Sequence, residues 1–158
     1  MQAQEIFEIL KEKFGEAIIE LKAEPNFETY VVIKAESVFD VSIFLRDDDR
    51  LQFDYLMCLS GLDSGENLTV VYHLHSTKLA HKFIYKVIVP KADPKVPTVE
   101  RVWRSADWHE REAWDLIGVE FVGHHNMIRI LCPYDWEGHP LRKDYQTPEY
   151  YHGMKVPY

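Results

Sequence analysis

Residues Asp107 to Tyr145 read DWHEREAWDLIGVEFVGHHNMIRILCPYDWEGHPLRKDY, and this stretch organises the rest of the chain. Asp107 and Glu110 have the spacing of a capping pair, in which each side chain accepts from the other residue's otherwise unpaired backbone N–H. That predicts a helix over 107–117, with Glu110, Arg111, Glu112 and Asp115 inside two turns. Arg111 and Asp115 are four apart and so share a face, in the charge order that suits the helix dipole less well. Gly118 supplies the positive φ that ends the helix. Val119 to Val122 has the make-up of a short strand, and Gly123 turns the chain again.

Upstream, residues 2–14 predict an amphipathic helix, with Ala3, Phe7, Leu10 and Phe14 at helical spacing and Gly15 at its end. Ile18 to Leu21 and Tyr30 to Ile33 are β-rich runs that can pair, with Pro25 and Asn26 in the turn between them. Ser37 is placed to cap a second helix carrying Val38, Val41, Phe44 and Leu45. That helix stops in the charged run Arg46 to Arg50, read as a solvated loop. Phe53 to Asp63 is expected to turn into a central strand. Leu68 to His75 and Lys82 to Val89 then form a hairpin. In its second strand Phe83, Tyr85, Val87 and Val89 face one side and Ile84 and Ile88 the other, so both faces are at least partly covered. The linker Pro90 to Pro97 holds three of the eight prolines. Thr98 begins a short helical turn through Trp103.

The 158 residues suffice for one domain with a real core. Hydrophobic content of 46% and aromatic content of 13% exclude a disordered chain. A net charge of −8 argues against a nucleic-acid surface. No apolar run has a spanning length of about 18 residues. The charged start MQAQEIFEILKEKF does not read as a secretory signal. Cys58 and Cys132, the two cysteines, form no C-x-x-C pair and are read as reduced thiols.

From Pro133 onward the composition changes. This stretch holds four of the eight prolines and five of the nine tyrosines, together with Trp136. Prolines oppose regular structure, yet a solvated tail is usually poor in aromatics. An extended arm rich in Tyr, Trp and Arg has the composition of a protein interface. The residues expected to dock are Trp136, His139, Arg142, Lys143, Tyr145, Tyr150 and Tyr151.

Candidates for chemistry are thin. His73 and His75 point the same way on a strand and could hold a metal, but lack a third ligand. Two polar positions on the wet face of an edge strand explain them as well. His109, His124, His125 and His139 have no regular ligand spacing. Glu110, Glu112 and Asp115 would suit acid–base work if buried. Arg111 among them and Arg142-Lys143 downstream point instead to a structural ion-pair network. No nucleophile–base arrangement and no Gly-rich dinucleotide turn is legible. No catalytic, cofactor or metal residue is therefore assigned.

Several ordered pieces carry a resemblance. They are Glu110-Arg111-Glu112, Asp115-Leu116-Ile117-Gly118-Val119, Phe121, Gly123-His124, Arg129-Ile130-Leu131 and Trp136 to Tyr145. At this spacing they resemble the C subunit of proton-pumping NADH-quinone oxidoreductase, respiratory complex I, and its relatives in other energy-converting complexes. The likeness is close from about Val99 to Tyr145 and continues in register from about Ser37. It departs in two places. Ile128 precedes Arg129 where the family usually has a second basic residue. His124-His125-Asn126 stands where relatives often read His-Pro-Asp.

The resemblance implies a chain with no redox centre of its own, with FMN and iron–sulfur clusters on partner subunits. As partners it implies the D subunit, which carries the quinone-site scaffold, and neighbouring iron–sulfur subunits. The place implied is the cytoplasmic side of the cell membrane, with membrane contact only through the complex. The equivalent subunit of a ferredoxin-, F420- or hydrogenase-linked complex is the alternative within the family. From another class, the alternative is a free-standing metal-dependent hydrolase built on the His and carboxylate cluster. The expected architecture is α+β, helices packed on one mixed or antiparallel sheet. A core of residues 1–132 includes the signature helix 107–117 and its ion-pair residues Glu110, Arg111, Glu112, Asp115 and Arg129. Residues 133–158 form the extended C-terminal docking arm.

Overall fold

A computed structural model describes residues 1–23 and 28–156. Its centre is a five-stranded sheet of β1 (Ile18–Lys22), β2 (Tyr30–Ile33), β3 (Tyr55–Asp63), β4 (Asn67–Ser76) and β5 (His81–Pro90). The spatial order is β1-β2-β5-β4-β3. The pair β2–β5 is parallel and the other pairs are antiparallel, so the sheet is mixed. The chain makes one hairpin, crosses over through a helix, and returns as a three-strand meander whose last strand slots in beside β2. Both expected pairings, β1 with β2 and β4 with β5, are present. The turn expected at Pro25 and Asn26 lies outside the described residues.

Helices α1 (Ala3–Phe14), α2 (Val38–Asp47) and α3 (Ala106–Ile117) accompany the sheet. In α1 the fully buried residues are Ile6 and Leu10, with Phe7 packed at the margin. Ser37 does sit before α2, but its backbone is helical and its side chain makes no capping bond, because a 3-10 turn over Ala35–Ser37 leads in. The core face of the sheet presents Leu68, Val70, Tyr72, Leu74, Phe83, Tyr85, Val87 and Val89, all buried. Tyr72 and Tyr85 stack at 4.3 Å, and the Tyr85 hydroxyl meets Ser42 Oγ of α2 at 2.9 Å. The opposite face carries a smaller buried group, Tyr30, Val32, Val71 and Ile84, while Ile88 is 46% exposed.

Three local expectations are corrected. Phe53 to Asp63 is not a turn into a central strand: nine of its residues form β3, which lies at the sheet edge. A register shift between Leu56 and Cys58 breaks its alternation, which hides the strand in the sequence. His73 and His75 therefore lie on an interior strand, not an edge. The end of the proline linker, Lys95–Pro97, is itself a strand, β6, paired in parallel with β7 (Glu120–Val122). This small sheet holds the segment before α3 against the segment after it.

Helix α3 lies on β3. Gly61 makes that approach possible, since a Cβ there would stand 3.3 Å from Ala113 Cβ and 3.4 Å from Ile117. The end of α3 is thereby fixed at the rim of the sheet, where the arm begins. No helix among the described residues is long and apolar enough to cross a membrane.

Candidate functional site: the root of an anchored arm

Asp115 is the centre of the site. Its side chain is fully buried near the C-terminus of α3. One carboxylate oxygen, Oδ1, accepts from Arg129 Nη1 at 2.6 Å. The other, Oδ2, accepts three backbone N–H groups, from Ile130 at 3.0 Å, Leu131 at 2.8 Å and Cys132 at 3.0 Å. A carboxylate holding successive amides fixes the path of the chain there, as a helix N-terminus would hold an anion. Arg129 reaches on to the Gly138 carbonyl at 2.9 Å.

The C-terminal carbonyls of α3 are met by the arm itself. His139 Nδ1 donates to the Asp115 carbonyl at 3.1 Å. Leu141 N donates to Leu116 O at 2.9 Å, and Arg142 Nε to Ile117 O at 2.6 Å. These bonds satisfy carbonyls that a helix end leaves unpaired and place a cation at its negative pole. Gly118, at φ +82°, is the left-handed cap, and a Cβ on it would lie 2.5 Å from Arg142 Nη2 and from His139 Cδ2. Glycine is thus required twice, by conformation and by this contact.

A second anchor lies at the sheet end. Asp63 is 2% exposed at its side chain. It accepts from Lys91 Nζ at 2.8 Å, Lys143 N at 2.9 Å and Gly65 N at 2.8 Å. These partners, Lys91 foremost, hold its carboxyl well below the usual range. Lys91 also pairs with Asp144 at 2.9 Å. The segment 139–144 is therefore seated on its own subunit by the end carbonyls of α3 and by the Asp63 carboxylate.

The five signature residues do not form one network. Asp115 and Arg129 are a pair, as described. Glu110 is fully buried but bonds to the Thr98 hydroxyl and to Val99 N at 2.7 Å. Arg111 lies over the Trp108 ring at 4.7 Å, donates to Ile128 O at 3.2 Å and is 3.9 Å from Asp107. Glu112 is exposed. The capping pair of Asp107 and Glu110 does not form, because α3 starts earlier, with Ser105 before it.

Of the expected docking residues, Trp136 donates its indole N–H to the Tyr145 hydroxyl at 2.9 Å and packs on Tyr151 at 5.0 Å. Tyr150 and Tyr151 belong to a two-residue hairpin with Met154–Lys155, a regular element in a stretch read as having none. His152 and Gly153, both at positive φ, make its turn. Sequence reasoning missed the roles of Asp63, Lys91 and Thr98. The outward surface of this region is apolar: Leu131, Tyr134, Leu141, Tyr150 and Met154 are each at least 60% exposed.

Glu100, Asp107, His124 and His125 each offer a potential ligand atom, all within 4.8 Å of one another. Asn126 N donates to His124 Nδ1 at 3.1 Å, so the neutral ring carries its proton on Nε2. That N–H donates to the Asp107 carbonyl at 3.3 Å, with Asp107 Oδ1 at 3.3 Å and Glu100 Oε2 at 3.4 Å close by. A metal would need the lone pair this proton occupies. As arranged, the group is a hydrogen-bonded cluster that ties the 124–126 turn to α3. Burial and Asp115 also push the Cys132 thiol up, away from the reactive thiolate.

Burial raises the Glu110 pKa from its ordinary 4.5 to about 8, against the bonds from Thr98 and Val99, with Glu100 and Asp107 pushing it further up. The folded state therefore favours the protonated acid. Its contribution to stability is complete below pH 4.5 and is lost as pH rises through about 8. Urea unfolding between pH 5 and 9 should show a decline of up to about 4 kcal/mol from this group. Glu110→Gln, neutral throughout and still able to accept from Val99, should flatten that decline. Parallel profiles for the two proteins would show that Glu110 stays ionised in the fold.

A small α+β chain whose last helix displays a stapled, apolar-faced arm is the class of protein that fold and site define. The family model for the respiratory-chain NADH dehydrogenase 30 Kd subunit matches residues 31–151. The C subunit of the NADH-quinone oxidoreductase of Chloroherpeton thalassium is 47% identical over 96% of this chain and 64% of its own length. The C subunit from Chlorobium phaeobacteroides is 42% identical over 99% of this chain and 96% of its own. This chain thus spans somewhat under two thirds of the first relative and nearly all of the second.

Among solved structures, a trypsin-resistant fragment (1-134) of Nqo5 matches at TM-score 0.63 and 28% identity. The match covers 77% of this chain and 98% of the fragment. A chain of the membrane-bound sulfane sulfur reductase, an archaeal respiratory membrane complex, matches at TM-score 0.73 over 90% of this chain and 85% of its own. Its 23% identity carries the fold alone. The chain belongs to the family of NADH-quinone oxidoreductase C subunits, the 30 kDa subunit of respiratory-chain NADH dehydrogenase.

Proposed function

We propose that this chain is a structural subunit of the peripheral arm of a proton-translocating NADH-quinone oxidoreductase, without a redox centre of its own. Its partners in this reading are the D subunit and neighbouring iron–sulfur subunits, with FMN and the clusters held by partner subunits, on the cytoplasmic side of the membrane. Its part is to present residues 133–158 to those partners. The observation that carries this is the anchored arm: two buried carboxylates hold its root, while large apolar side chains point outward. Exposed apolar residues grouped on one ordered segment mark an interaction site. Fixing that segment before binding reduces the ordering cost of association.

Co-expressed with the D subunit of its own complex, the chain should copurify at one to one. Purified alone it should be colourless and should not oxidise NADH. Failure to associate would sink the reading. So would stoichiometric zinc or iron lost together with an activity when His124 and His139 are replaced.

A further inference from the structure

Beyond its anchors the arm folds back on itself to form a pocket of about 270 Å³, walled by Asp135, Trp136, Glu137, Tyr150, Tyr151 and His152. Trp136 and Tyr151 meet at 5.0 Å with their rings inclined by 52°. Asp135 holds the wall together, accepting from the Tyr151 hydroxyl at 2.7 Å and contacting His152 Nε2 at 2.7 Å. Glu137 is exposed and has no hydrogen-bond or ion-pair partner among the described residues. No lysine or arginine lines the pocket, and Lys155, across the hairpin from Tyr150, is not among its walls. Arg142, the nearby cation that sequence reading assigned to docking, is turned inward onto Ile117 O.

We infer that this pocket receives the cationic end of an arginine or lysine side chain from a partner subunit. Aromatic faces attract a cation through their quadrupoles, and a neighbouring carboxylate adds a direct charge contact. The pocket offers both, has no lysine or arginine of its own, and leaves Glu137 free for an incoming charge while Asp135 is engaged by Tyr151 and His152. The inference rests on reading the arm as a docking element and gives that element its partner chemistry. A basic residue of the partner enters the aromatic pocket while Tyr134 and Leu141 lie against its apolar surface.

The test uses the isotope-labelled full chain, with the Trp136 indole N–H as reporter. The probes are N-acetyl-arginine amide, N-acetyl-lysine amide and, as the neutral control, N-acetyl-leucine amide. Expected are saturable shifts of the Trp136 signal with both cationic probes and little with the leucine probe. Glu137→Gln, at an exposed position that leaves the fold intact, should weaken the cationic probes about threefold. Trp136→Leu, which removes that reporter and is followed instead through the backbone amide of Glu137, should weaken them about tenfold. An equal response to the leucine probe, or no response to either cation, overturns the pocket's assignment. That outcome is distinct from failure of arm docking, which is read from assembly of the truncated chain.

Discussion

Asp115→Ala should destabilise the chain by about 3–5 kcal/mol, the usual cost of removing one partner from a buried ion pair. Four donors converge on this one side chain. Alanine would leave the Arg129 guanidinium, only 11% exposed, without its counter-charge and three backbone N–H groups without their acceptor. Asp115→Asn keeps the volume and one carbonyl acceptor, so it should cost distinctly less. The pH dependence gives an independent check. Burial alone would raise the pKa of Asp115. The amides of Cys132 and Leu131, Arg129 and the amide of Ile130 outweigh it and bring the value to about 2. The stabilisation is therefore complete above the ordinary pKa of 3.8 and disappears as pH falls through about 2. Urea unfolding of the natural chain should lose this contribution between pH 4 and 2, and Asp115→Ala should lack that loss. A cost below about 1 kcal/mol for the alanine variant, within the range of an exposed pair, would remove Asp115 as an anchor.

Much of the fold was legible because it rests on local periodicity. The β4–β5 hairpin alternates cleanly, and Gly118 marks the end of α3 because only a left-handed residue fits there. Strand β3 was not legible because its bulge at Leu56/Cys58 shifts the inward positions out of alternation. The site was legible as a set of residues but not as a set of partners. Asp115 looked four residues from a suitable arginine, Arg111, yet pairs with Arg129, fourteen positions on. Glu110 bonds to Thr98, twelve positions back. Loop geometry brings those groups together, and no helical spacing encodes it. The same holds for Asp63 and Lys143, eighty residues apart. Expecting all polar side chains of the arm to face a partner overlooked a local demand. A helix end needs its carbonyls met, and the nearest supplier was the arm's own Arg142.

Truncation at two points should separate what the arm does for its own domain from what it does for assembly. Removing residues 133–158 takes away the donors to Leu116, Ile117 and Asp63 together with the Lys91–Asp144 pair. Charge-assisted bonds of this kind contribute about 1.5–3 kcal/mol each when partly buried. The long truncation should therefore lose about 2–4 kcal/mol even though the core keeps its apolar contacts. Stopping after Asp144 keeps both anchors and removes only Tyr145, the hairpin and the rest of the aromatic tip. That shorter truncation should melt within about 3 °C of the full chain. Both truncated chains should nevertheless fail to enter the complex, because they lose the exposed Tyr150 together with Tyr151 and the Trp136–Tyr145 bond that order the tip. Amide exchange adds a further contrast. In the free chain residues 139–144 should be protected and 145–156 should exchange fast, and in the complex both segments should be protected. If the chain ending at Asp144 assembles as well as the full chain, the aromatic tip is not a docking element. If it unfolds, the tip belongs to the core.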